Sequence, residues 1–299
     1  MRTIAIGIGL PRVAGTSGEF LLEWARRADA GPFSSLAVSD RVVHAAQEPL
    51  VALAAASGVT GRIRLLTSIL LGPTRETTLL ARQAASIDAL SGGRLTLGLG
   101  VGIRRDDYAA TGNAFATRGR RLDEQLPLLR RLLAGGAMDE AVGSIGVPPV
   151  RPGGPELLIG GYVPAVARRV AAHGDGFMAP GGGEPDRLIA LWRDIETAWT
   201  GAGREGRPRW VGSSYVALGP DADAQAAAYI RAMYAFDPGL AERRLAGIPT
   251  TPAAVAEMIA RQAAMGVDEF VFRPCAGDPD LLDRLAEAIA SSPDVELAS

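Results

Sequence analysis

Eight short apolar segments alternate with stretches of helical periodicity along the whole chain, and this alternation constrains the fold more than any other feature. The segments are 3–9, 34–39, 63–71, 94–99, 156–160, 175–179, 210–218 and 268–273. Each is rich in Val, Ile, Leu or aromatic residues and is bounded by Gly, Pro or Asp, which is the pattern of strands. Residues 18–30 place Phe20, Leu21, Trp24 and Ala28 on one stripe. Residues 76–90 do the same with Leu79, Leu80, Ala84, Ile87 and Leu90, and 118–134 with Leu122, Leu126, Leu129 and Leu133. Segments 162–173, 184–202, 222–247 (one helix or two pieces), 252–265 and 279–290 complete the helices. Strands that are almost continuously apolar suit a parallel sheet covered on both faces. Over 299 residues the pattern predicts a single domain, 1–299, folded as a (β/α)8 TIM barrel. The alternative is an open doubly wound sheet with a lid. It is disfavoured because no dinucleotide fingerprint follows the first strand.

Two stretches exceed what the alternation needs. Residues 135–154, after the fourth barrel helix, are rich in Gly and Pro and are expected at the bottom of the barrel or along its side. Residues 219–250, after strand seven, hold more helix than one crossover requires. A segment leaving the top of a barrel strand is placed to cover a site there.

Composition removes several function classes. The net charge of −2 leaves no electrostatic footprint for nucleic acid. One cysteine, Cys275, and two histidines, His44 and His173, exclude an internal disulfide, a cysteine zinc cluster and a histidine-rich metal site. All 31 basic residues are arginine. The first apolar run is too short for a signal peptide and reads as a buried strand, and no uncharged apolar run approaches membrane-spanning length. The expectation is a soluble, cytoplasmic protein acting on a small molecule, with no nucleic-acid or membrane partner.

In a barrel of this kind chemistry sits at the C-terminal ends of the strands. Strand two ends at Ser39-Asp40-Arg41 with His44 just beyond; Asp40 there either accepts a hydrogen bond from a ligand or caps a turn. Strand three ends in Thr67-Ser68-Ile69-Leu70-Leu71, where small hydroxyls let a ring pack on the backbone or simply lie in a buried strand. Strand four runs into Gly98, Gly100 and Gly102, followed by Ile103-Arg104-Arg105-Asp106-Asp107-Tyr108. Glycines let a backbone approach a flat ligand closely, and the charges after them are either functional or a solvated loop. The run is not a dinucleotide fingerprint, because Ile103 stands where a third glycine is needed. Strand five ends in Gly160-Gly161-Tyr162 before a helix, which is either an anion site for phosphate or a glycine-eased turn. His173 lies near a helix end and reads as capping or packed, and Arg273 at the end of strand eight could meet an anion or pair on the rim.

Four stretches together resemble the luciferase-like, flavin-dependent oxidoreductase superfamily. They are Leu36 to Asp40; Leu90-Ser91-Gly92-Gly93-Arg94 through Gly102 with Asp107-Tyr108 and Gly112; Ile159-Gly160-Gly161 with Ala171 through Gly176; and Ala264 to Val271. The resemblance implies a barrel that binds FMN or the deazaflavin coenzyme F420. The ring would lie over the ends of strands three and four, against Asp40, Ser68, Ile69, Gly100 and Gly102, and the phosphate near Gly160, Gly161 and Tyr162. It also implies a non-prolyl cis peptide at Ser68–Ile69, with Thr67–Ser68 as second choice, and a homodimer. Members often carry histidine directly after the strand-two aspartate, Trp after the last glycine, and a His-Pro pair at the helix after strand three. Here Arg41, Ile103 and Glu76-Thr77 stand at those positions.

The implied function is hydride transfer between F420 and an organic substrate, with Asp40, Arg41 and His44 as catalytic candidates. Arg104 and Asp106 join the cofactor site, and Arg41, Arg104, Arg105 and Arg273 are available to the anionic tail. The alternatives are an FMN-dependent monooxygenase, and a non-catalytic cofactor- or ligand-binding barrel, which the missing histidine allows. A nicotinamide dehydrogenase is disfavoured by the absent fingerprint. Tyr229, Met233, Tyr234 and Phe236 in the covering segment form an apolar set, either facing a hydrophobic substrate or packing a helix.

Overall fold

The computed structural model describes residues 3–182, 184–292 and 295–296. Eight parallel strands form its centre: β1 (Ile4–Gly9), β2 (Ser35–Val38), β3 (Arg64–Leu71), β4 (Leu95–Gly100), β5 (Glu156–Gly160), β6 (Gly176–Met178), β7 (Arg209–Val216) and β8 (Glu269–Pro274). Each pairs with its sequence neighbours, and β1 pairs with both β8 and β2, so the sheet closes on itself. The result is the (β/α)8 barrel expected from the alternation. A further two-residue strand, β9 (Val295–Glu296), pairs with the start of β1 at Ile4 and Ala5.

The helices follow the predicted segments closely. They are α1 (Gly18–Ala30), α3 (Thr77–Leu90), α5 (Arg118–Leu133), α6 (Ala165–His173), α7 (Pro185–Gly201), α8 (Ala222–Met233), α9 (Pro238–Leu245), α10 (Pro252–Ala264) and α11 (Leu281–Ala290). Two were not anticipated: α2 (Pro49–Ser57) and α4 (Arg105–Ala110). The first is apolar on every side and so shows no stripe. The second is one charged turn and a half, too short for periodicity to register. The segment 222–247 is two helices, because the chain breaks after Met233 and Asp237 caps the second by accepting a bond from the Leu240 amide.

The barrel has a charged floor and a small apolar layer above it. At the bottom Arg209 bridges Glu156 and Glu269, and Arg64 reaches Glu156 and Thr96. Above these, Ala37, Leu66, Leu158, Met178, Val211 and Val271 fill the lumen, with Ile69 packed on them from the mouth side. The larger core lies between the strands and the helical ring, around Ile4, Ile6, Ile8, Trp24, Leu97, Leu126 and Phe272. Residues 135–154 lie at the bottom as expected. There Val150 packs against Gly93, and Arg151 reaches the Leu95 carbonyl. The segment 219–250 lies over the mouth, where Met233 and Arg244 meet residues that follow β4 and β5.

Candidate active site

The mouth is organised around a bulge in β3. The Ser68–Ile69 peptide is cis, at the position the resemblance implied. The register of β3 against β4 shifts between Thr67 and Leu70. The neighbouring glycines make room for this bulge. A Cβ on Gly98 would stand 2.1 Å from the Thr67 carbonyl oxygen. One on Gly100 would stand 2.9 Å from Ile69 Cδ1, and one on Gly160 would stand 2.8 Å from Ile69 Cγ2. Gly102 adopts φ +61° with Leu71 against it. The glycine-rich strand end therefore admits the protein's own bulge and the Ile69 side chain.

Asp40 holds the bulge from the β2 side. Its amide donates to the Ile69 carbonyl at 3.1 Å, and its Oδ2 accepts from the Leu71 amide at 2.9 Å. The same oxygen accepts from Arg75 Nη2 at 2.8 Å, and Arg75 also pairs with Glu48 at 2.9 Å. The carboxylate is buried and its protein contacts are those of an anchor.

Arg41, at the position where the resemblance leads one to expect histidine, is a strut. Its Nε donates to Asp107 Oδ2 at 2.9 Å, and its Nη2 reaches Asp106 and the Val43 carbonyl. Asp107 Oδ1 accepts from the Val42 and Val43 amides, each at 2.9 Å, so one carboxylate on α4 fixes the whole turn after β2. Arg104 pairs with Asp106, donates to the Met233 carbonyl and stacks on Phe236 with 4.6 Å to the ring centre. The hydrogen bond from Arg104 holds the Asp106 carboxyl down at about 2. Arg105 stacks on Phe115 at 4.7 Å. Arg41 and Arg104 are thus committed to internal carboxylates and to the cover, while Arg273 is not.

His44 lies beside Arg12, Arg41, Asp107 and Arg104, and its Nδ1 is buried without a partner. Burial first, then the charges of Arg12 and Arg41, push its pKa below the ordinary histidine value. The ring is neutral at neutral pH. His173 sits at the other end of the barrel, where its carbonyl accepts from Arg130 Nε at 2.9 Å.

Across the mouth, Gly160 and Gly161 lead into α6. Gly161 has φ +151°, and a Cβ there would meet Val166 at 2.9 Å. Tyr162 bridges this turn to its surroundings. Its hydroxyl donates to the Gly181 carbonyl at 3.3 Å and accepts from Arg244 Nη2 at 2.6 Å. Arg244 lies against Gly182, and its Nε and Nη1 are buried and unpartnered. Sequence reasoning did not single out Arg244 or Arg12. Arg244 reads as one of several arginines on an amphipathic helix, and Arg12 as a residue of the first turn; neither carries a local signal. A hydroxyl cluster completes the mouth, with the Tyr215 and Tyr234 oxygens 3.2 Å apart and Tyr229 packed on Tyr215.

The family description "Luciferase-like monooxygenase" matches residues 4–292. The chain belongs to that family. Among curated family relatives, the uncharacterized protein Rv0940c of Mycobacterium tuberculosis is 31% identical over 216 residues, covering 63% of this chain and 74% of that protein. The 4-hydroxyprotoasukamycin monooxygenase of Streptomyces nodosus subsp. asukaensis is 38% identical over 87 residues, 29% of this chain and 24% of that enzyme. Among solved structures, monooxygenase RslO1 from Streptomyces bottropensis superposes with a TM-score of 0.77 at 21% identity, covering 96% of this chain and 99% of that one. An F420-dependent secondary alcohol dehydrogenase in complex with an F420–acetone adduct gives 0.77 at 17% identity, covering 97% and 99%. These structural likenesses carry the luciferase-like barrel fold. Among the described residues no His, Cys, Asp and Glu group could hold a metal ion, and no helix is long and apolar enough to cross a membrane.

Proposed function

We propose that this member of the family transfers hydride between coenzyme F420 and an organic substrate. The observation that supports a phosphate-bearing cofactor, F420 or FMN, is Arg244, whose buried Nε and Nη1 have no partner beside the Gly160-Gly161-Tyr162 turn. An unpaired buried guanidinium is costly unless an anion meets it. The start of α6 beside this guanidinium suits the close approach of a phosphate. The residues present therefore fit a cofactor that carries phosphate. Gly160, Gly161, Tyr162 and Arg244 would hold that group, and Ser68, Ile69, Gly100 and Gly102 would face the ring. When bound, the deazaflavin supplies the hydride donor or acceptor.

The chain's own groups handle position and protons. Asp40 and Arg75 fix the bulge that faces the ring. Asp107 and Arg41 fix the turn that carries His44. A neutral His44 can accept the proton of a substrate O–H or N–H. Met233 and Phe236, held by Arg104, keep the cover over the mouth and limit entry of water.

The 38% identity to a monooxygenase over 87 residues favours a second reading, an FMN-dependent monooxygenase. Fluorescence titration of the purified protein with F420 and with FMN separates the two. F420 is expected to bind, and Arg244→Ala is expected to weaken it. Tight FMN binding with no F420 binding would overturn the first reading, and binding of neither would favour a non-catalytic barrel. The assembly proposed is a homodimer, which light scattering on the same sample checks.

A further inference from the structure

Two arginines on the opposite wall of the mouth have the same unmet need as Arg244. Arg12 is only 4% exposed. Its Nη1 donates to the Ser39 carbonyl, and its Nε and Nη2 are buried without partners. Arg273 stacks on Tyr215 with 4.6 Å to the ring centre and donates from Nη2 to Ser213 Oγ at 3.1 Å; its Nε is also buried and unpartnered. Both line one void of about 10 Å³ together with Ser39, Tyr215 and Tyr229. That is room for little more than one small polar group.

The nearby acids do not satisfy them. Asp40 acts on Arg12, yet its Oδ2 is bonded to Arg75 and the Leu71 amide. Asp106 and Asp107 are taken by Arg104 and Arg41. Neither Arg12 nor Arg273 has a carboxylate partner among the described residues. The remaining neighbours are neutral: Tyr215 and Tyr234 share a hydrogen bond, and burial raises the Tyr215 and Tyr229 hydroxyls and the Cys275 thiol above their usual values. Two guanidiniums converging on a small void amid tyrosine rings match a planar anion, because a guanidinium fork pairs with both oxygens of a carboxylate. Arg273 reaches toward Gly181, whose carbonyl also accepts from Tyr162, so Arg273 stands between this site and the phosphate turn. Arg12 follows β1 and Arg273 ends β8, and these strands pair with each other across the ring from β4 and β5.

We propose that Arg12 and Arg273 anchor a carboxylate of the substrate, so that the organic substrate is a carboxylic acid held on the β1–β8 wall beside His44. This rests on the oxidoreductase reading only for the word substrate; the anion site stands on the two arginines. Calorimetric titration of cofactor-free protein with benzoate, its neutral analogue benzamide, and inorganic phosphate tests it. Benzoate is expected to bind, with benzamide and phosphate weaker by about tenfold or more. Arg12→Gln and Arg273→Gln should each weaken benzoate by about tenfold or more, and Arg12→Lys should restore part of the loss. F420 and FMN titrations of Arg12→Gln should stay within about twofold of the parent.

The proposal is overturned if benzoate fails to bind, if benzamide matches it, or if phosphate binds more tightly. It is also overturned if the glutamine variants bind benzoate as the parent does, or if Arg12→Gln loses F420 as strongly as it loses benzoate. Benzoate selectivity in a protein that binds neither cofactor would leave the anion site standing and remove the F420 reading alone.

Discussion

Replacing Asp40 by alanine tests whether this carboxylate is the anchor of the bulge in β3. The side chain is 1% exposed and serves both Arg75 at 2.8 Å and the Leu71 amide at 2.9 Å. Removing one partner of a buried ion pair costs about 3–5 kcal/mol, and a stranded buried amide costs about 1–3 kcal/mol. Arg75 keeps Glu48 at 2.9 Å and is 18% exposed, so its loss is partly recovered. The two effects overlap, and the expected total is about 3–4 kcal/mol. At this chain length roughly 2 °C accompanies each kcal/mol, so the melting temperature should fall by about 6–8 °C. Asp40→Asn keeps an acceptor for the Leu71 amide and loses only the charge, and should cost about 1–2 kcal/mol. Urea unfolding followed by circular dichroism at pH 7 gives both numbers. An alanine variant destabilised by less than about 1 kcal/mol, or an asparagine variant as damaged as the alanine one, would refute the anchoring argument.

Other positions give sharp contrasts. Gly98→Ala should be far more disruptive than Gly100→Ala in urea unfolding, because the first Cβ meets the Thr67 backbone oxygen at 2.1 Å and the second meets the movable end of Ile69 at 2.9 Å. Asp107→Ala frees both the Arg41 side chain and the Val42 and Val43 amides, so trypsin should cleave after Arg41 faster than in the parent. The His44 pKa is lowered in the fold, so the unfolded chain binds more protons there as pH falls below its ordinary value of about 6.5. Stability tied to His44 is therefore full at neutral pH and lost on acidification. His44→Gln should flatten that part of the stability profile, and equal slopes in the two proteins would sink the assignment.

The residues that mark the fold act locally, and they are legible in the chain. Apolar runs such as Ile4–Gly9 and Leu95–Gly100, with the helical stripes between them, specify strand and helix through side-chain spacing. Parallel strands covered on both faces suit a closed barrel or a doubly wound sheet, and the pairing of β1 with both β2 and β8 closes the barrel. The helix α2 escaped because a segment apolar on all sides has no stripe, and α4 because six residues are too few to show one. The glycines at 98, 100 and 102 announced close packing, but their spacing could not say against what. The structure answers with Thr67, Ile69 and Leu71.

Charge pairing is a different kind of information, since it depends on which loops converge at the mouth. In the sequence Arg41, Arg104, Arg105 and Arg273 read as candidates for an anion, while Arg12 and Arg244 carry no local signal. Folding gives Arg41 to Asp107 across 66 positions and Arg104 to Asp106 beside it. It leaves Arg12 and Arg244 buried with nitrogens unmet, and Arg273 half-buried with its Nε unmet. Periodicity determined the alternation of strands and helices from the sequence alone, because it is a property of neighbours along the chain. The tertiary structure decided which cations are neutralised and which await an anion, because that depends on distances between residues tens to hundreds of positions apart.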